Sequence, residues 1–152
     1  MARVWSDLLN SINELTETYS LVLEERCGEG GEGESLEILI KAQPMDALCP
    51  SILITFDNEE QVSLSLDNGM HWDIQVPTRF ELSASVLDEV SALLEGGCVE
   101  EAWAMPGEAP YRIRLTCPDS GVTEWSKGFP RARRGAETRT RVLHSYPRRL
   151  DA

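Results

Sequence analysis

The sequence predicts an α+β fold, a mostly antiparallel sheet of about 6–8 strands with helices packed on its apolar face. Three observations lead there. Short runs alternate apolar and polar residues, two segments repeat apolar residues at helical spacing, and the connectors are too short for parallel crossovers.

The N-terminal helix comes first. Val4, Trp5, Leu8, Leu9, Ile12 and Leu15 recur at helical spacing, predicting a helix over about 3–17. A helix this short is marginal alone and needs a surface to cover. Tyr19, Leu21 and Leu23 then alternate with polar neighbours as a strand, and Leu36, Ile38, Ile40 and Ala42 form a second. Between them lies CGEGGEGES, residues 27–35, with four glycines and three glutamates. It reads as a flexible acidic loop and not a phosphate cradle, which would favour a lysine over three negative charges.

Ile52, Ile54 and Phe56 mark a third strand. LSLDNGMHWDIQV, residues 64–76, is the turn of a hairpin spanning 61–76. A two-residue Asn68-Gly69 loop would set Leu66 against His71 and mix the faces. A three-residue loop, Asp67-Asn68-Gly69, pairs Leu66 with Met70, Leu64 with Trp72 and Val62 with Ile74, so that one face is wholly apolar. His71, Asp73 and Gln75 fall on the polar face.

A second helix is predicted over about 83–95 from Leu82, Val86, Val90, Leu93 and Leu94, with Ser83 or Ser85 as cap and Gly96-Gly97 as stop. Val99, Trp103 and Met105 suggest a further strand, with Trp103 and Trp72 both read as core. Tyr111, Ile113, Leu115 and Cys117 alternate with Arg112, Arg114 and Thr116 in the clearest strand of the chain, and 122–126 adds a short edge strand.

Charge divides the chain of 152 residues. Residues 1–126 carry 6 Lys/Arg and 24 Asp/Glu, a net −18, and residues 127–152 carry 8 Lys/Arg and 2 Asp/Glu, a net +6. The expectation is an acidic α+β domain over 1–126 and a poorly ordered, arginine-rich extension over 127–152. Cys27, Cys49, Cys98 and Cys117 form no C-x-x-C pair. Without a recognisable secretion signal they are expected to be free thiols in a cytoplasmic protein. No apolar run suits a membrane helix.

The chain offers no metal-ligand spacing, P-loop, dinucleotide fingerprint or nucleophile elbow, so neither a metal nor a cofactor is expected and an enzyme is disfavoured. An acidic body attracts basic partners. The expected contact set is His71, Asp73, Gln75, Arg112 and Arg114 on one polar sheet face, with Glu29, Glu32 and Glu34 as mobile acids in the loop. In size, acidity and element order, residues 1–126 resemble the small acidic immunity proteins that neutralise bacterial toxins. They are also similar in general order to acidic chaperones of secreted effectors. The basic tail departs from both patterns. The resemblance implies a protein that masks a basic partner. The alternatives are a small enzyme using the polar sheet face and an accessory domain whose tail binds nucleic acid.

Overall fold

The computed structural model describes residues 5–29, 34–58, 60–76, 78–119, 121–127 and 133–150, with backbone only at 27–29, 34 and 35. Among the described residues nine strands form two antiparallel sheets, of five and four strands, and two helices accompany them.

The first sheet is a meander in chain order: β1 (Leu21–Glu29), β2 (Glu34–Ala42), β3 (Ile52–Asn58), β4 (Gln61–Leu66) and β5 (His71–Ile74). Alternation sorts its faces. Leu36, Ile38, Ile40, Ile52, Ile54, Phe56, Val62 and Leu64 are all buried on one side. Helix α1 (Ser6–Thr18) buries Leu8 and Ile12 in the same core, and the Trp5 ring just before it lies 5.4 Å from the Phe56 ring. Helix α2 (Arg79–Glu95) adds Leu82, Val86, Val90, Leu93 and Leu94. The hairpin has the register the hydrophobic pattern demands: Val62 opposite Ile74, Leu64 opposite Trp72, and Gly69 at φ +93° in the left-handed region. Met70 is fully buried. Trp72 is only half-buried, because its indole N–H reaches the edge of the core to donate to Glu89 at 3.1 Å.

The strands do not make one sheet. After α2 the chain starts a second sheet of order β8-β7-β6-β9, from β6 (Val99–Ala104), β7 (Arg112–Cys117), β8 (Gly121–Ser126) and β9 (Glu137–Val142). Both sheets and both helices contribute to a single hydrophobic cluster.

Several expectations are corrected here. Helix α2 begins at Arg79 and not near 83. Thr78 is its cap, with its hydroxyl accepting the Glu81 N–H at 3.2 Å, so the Thr-x-x-Glu pattern at 78–81 sets the start. The acidic loop is shorter than expected: β1 runs to Glu29 and β2 starts at Glu34, directly opposite. Glu32 lies outside the described residues.

Strand β6 is turned over relative to the reading above. Glu100 and Ala102 face the core, and Trp103 lies half-buried on the other face. Cys98 and Cys117 are not free thiols. The register that pairs Val99 with Thr116 sets them opposite one another, and they form a disulfide with Cα atoms 4.1 Å apart. Cys49 is free and buried.

The largest correction concerns the basic C-terminal segment. Its described part, 133–150, is folded into the domain. Strand β9 pairs with β6 along its whole length, and Leu143 and Tyr146 are each 1% exposed. The Tyr146 hydroxyl donates to the Pro50 carbonyl at 2.5 Å, and the Leu143 and Tyr146 amides bond to Cys98 and Leu94 carbonyls. Arg141 forks onto the buried Glu100 at 2.8 and 3.1 Å, and the Asn68 amide of the hairpin turn completes that carboxylate's partners at 2.8 Å. This network ties the turn of the first sheet to two strands of the second.

Candidate functional site

The residues expected to share one polar face are divided between the two sheets. At the edge of the first sheet His71 and Asp73 of β5, and Gln75 just after it, are exposed, with the half-buried Ser63 and Ser65 of β4 beside them. Ser63 Oγ lies 2.7 Å from Asp57 and 2.8 Å from Asp73. Its one proton serves a single carboxylate at a time, so the second carries an unmatched lone pair that a cationic partner group could fill. The His71 ring lies 5.9 Å from that of Trp125 of β8, tilted by 58° to it.

Trp125 shares its face with Ile113, and Arg112 and Arg114 alternate onto the opposite one. The two arginines therefore point away from His71. Both lie over the Trp103 ring, at 4.5 and 5.8 Å, and both bond Glu124, at 3.3 and 2.6 Å. Their hydrogen bonds, Arg114's foremost, hold the Glu124 carboxyl below the usual carboxylate range. In this quartet two guanidiniums share one carboxylate, so it keeps a net positive charge. Glu29 and Glu34 face each other at the end of the β1–β2 ribbon.

A second group brings together a cysteine, a histidine and an aspartate. His144 Nδ1 lies 3.0 Å from Asp46, and Cys49 Sγ approaches the carbonyls of His144 and Ser145 at 3.7 and 3.4 Å. The elements resemble a nucleophilic triad, but the chemistry runs the other way. Burial raises the Cys49 thiol pKa and Asp46 adds to the rise, so the reactive thiolate is disfavoured. The group works as a clasp that fixes the C-terminal segment to the 46–50 connector. Among the described residues no group of three or more His, Cys, Asp or Glu is arranged to hold a metal ion.

The concavity of about 470 Å³ along α2 has a different character. Asp88, Glu89 and Glu95 line it from the helix and Asp119 from the turn between β7 and β8, with Ser85 and Ser91 between them. Glu89 is half-buried, and burial raises its pKa against the opposing hydrogen bond from Trp72. Glu95 moves the other way. The hydrogen bond from Tyr19 lowers it first, and Arg148, at 2.8 and 3.0 Å, lowers it further. Tyr19 itself rises to about 12 through burial and its bond to Glu95. One wall is thus partly neutralised, and Asp88, Glu89 and Asp119 make the rest acidic in composition.

Helical spacing carried part of this site in the sequence. Ser85, Asp88, Glu89, Ala92 and Glu95 recur along one flank of α2 by the period that groups its apolar residues. Asp119 comes from a turn in the other sheet, and its approach depends on how the sheets meet. No protein-family model matches the chain, and no curated protein matches it.

Proposed function

We propose that this protein masks a basic partner protein, as a toxin-neutralising immunity protein would, with the α2 concavity as the centre of contact. The observation that carries the reading is the convergence of Asp88, Glu89, Glu95 and Asp119 on one depression, one of them half-buried with a raised pKa. Glu89 is bonded by the neutral Trp72 N–H, so a cation brought to it by a partner would compensate its charge in a partly desolvated place. The fate of the arginines supports the same reading. Arg141 is engaged by Glu100, Arg148 by Glu95, and Arg112 and Arg114 by Glu124. Within the basic segment, Arg141 and Arg148 therefore act as internal counter-charges.

The experiment is capture of partners from the native host lysate at low and high salt, using the full chain and a variant carrying Asp88→Lys and Asp119→Lys. A basic protein retained at low salt by the native chain, and lost with the variant, supports the proposal. Equal capture by both would remove the concavity from it. Turnover of a small molecule, with no protein captured, would favour an enzyme. No helix among the described residues is long and apolar enough to cross a membrane.

A further inference from the structure

Acidity attracts a partner without fixing its pose, and the opposite flank of α2 carries a feature suited to that second task. A groove of about 390 Å³ runs between the two helices, lined by Leu8 and Ser11 of α1 and by Phe80, Ala84 and Leu87 of α2, with Asp7 at its rim. Phe80 is 84% exposed. It sits in the first turn of α2, after the Thr78 cap, where Leu82 and Val86 already supply the core-facing side. Nothing in the packing of the domain requires a phenyl ring there. Large apolar side chains left in water beside a groove mark contact surfaces.

We infer that this groove receives an apolar side chain of the same basic partner, with Phe80 as the anchor residue on this protein. The inference rests on the masking proposal and adds the chemistry of the bound segment: an apolar side chain flanked by lysines or arginines. Charge complementarity selects that occupant. Asp7 stands at the groove itself, and Asp88 follows Leu87 in the chain and lines the acidic concavity across the helix. Arg79 borders the groove as well and offsets Asp7 there, so the selection for cations comes from Asp88 and the concavity beyond it. A segment crossing α2 would set its cations against Asp88 and Asp119 and its apolar side chain beside Phe80. This division follows the usual arrangement of an interface, in which a desolvated aromatic anchor sets the lifetime of the complex and flanking charges set the rate of encounter.

The test uses two probes, a lysine-rich peptide containing a single leucine and the same peptide with alanine in that position. Both are titrated into the full chain while backbone amide shifts are recorded. The leucine peptide is expected to bind about tenfold more tightly, since a leucine side chain leaves water. It should shift the amides of Phe80, Ala84 and Leu87. Phe80→Ala, at an exposed position that leaves the fold intact, should reduce the leucine peptide to the affinity of the alanine peptide. Asp88→Asn should weaken both peptides alike. Equal binding of the two peptides, unaffected by Phe80→Ala but weakened by Asp88→Asn, would overturn the inference and leave the masking proposal standing. If neither peptide bound in a salt-dependent way, both would fall. Sedimentation of the free protein provides the remaining outcome. A concentration-dependent dimer abolished by Phe80→Ala would overturn the inference by assigning the groove to a second copy of the chain.

Discussion

At the scale of single residues, Glu100 is held by its surroundings on every side that the charge can reach. It is a carboxylate 5% exposed, on the inner face of β6, where the neighbouring inward residues are Cys98 and Ala102. A charge in that position needs its partners, and it has three hydrogen bonds from Arg141 and Asn68. The two members of the ion pair are unequal. Arg141 keeps contact with water, so losing Glu100 lets the guanidinium turn outward, whereas losing Arg141 strands a buried carboxylate. Arg141→Ala should therefore destabilise by about 2–3 kcal/mol, below the range for a fully enclosed pair, and Glu100→Gln by less. Denaturant melts giving the reverse ranking would contradict this account. Tyr19 provides a pH test. Its folded pKa stands above the unfolded value of 10.0, at about 12, so the native state holds this proton more tightly. The resulting stability is complete below the unfolded pKa and is lost as pH rises through the folded one. Tyr19→Phe should make the alkaline decline in unfolding free energy shallower, while Tyr146, also raised by burial, maintains the remainder. Parallel declines in the two proteins would show that Tyr19 has no such role.

At the scale of elements, the C-terminal segment decides whether the domain is whole. Strand β9 closes one edge of the second sheet, and the stretch after it places Leu143 and Tyr146 between the sheets' connectors and α2. A chain stopped after Ser126 should lose its cooperative unfolding transition, because deletion removes a strand and two buried side chains that are each worth several kcal/mol. Tyr146→Ala alone should destabilise by about 3–5 kcal/mol. A truncated chain melting near the full-length temperature would refute both statements. The same segment shows where sequence patterns stop being informative. The first-sheet hairpin was legible down to its register, because only one pairing of Val62, Leu64 and Leu66 with Met70, Trp72 and Ile74 keeps the apolar side chains on one face. Strand β9 gave no such signal. It lies at a sheet edge with most of its side chains in water, so ETRTRV has no apolar alternation to detect. Its apolar contributions are isolated residues, Leu143 and Tyr146, whose burial arises from long-range packing. Glu100 and Trp103 misled for a related reason. The rule that apolar residues face inward fails where a buried acid has an arginine partner and a tryptophan is covered by arginines. Of the expected site, Arg112 and Arg114 do share a face, but their separation from His71 depends on there being two sheets, a fact of topology that alternation within a strand cannot convey.

At the scale of the whole molecule, charge should govern how fast a partner arrives, and local geometry how long it stays. The net charge is −12, and Arg112, Arg114, Arg141 and Arg148 are held in ion pairs. Two sets of substitutions separate the effects. Glu29 and Glu34 are register partners where the β1–β2 ribbon ends. Reversing both to lysine should reduce the association rate at low salt and leave dissociation nearly unchanged. Their influence acts through solvent, so it should fade as the Debye length falls to about 8–10 Å near physiological ionic strength. Asp88→Lys and Asp119→Lys act at the proposed contact. They should slow association and hasten dissociation together, and the effect on dissociation should persist at high salt, because close charge pairs are less screened. Kinetics against the captured partner over a range of salt concentrations check both halves. If the ribbon variants hastened dissociation as strongly as the α2 variants, the contact would be at the ribbon and the assignment to α2 would fail. If neither set changed association at low salt, the acidity would have no part in recognition.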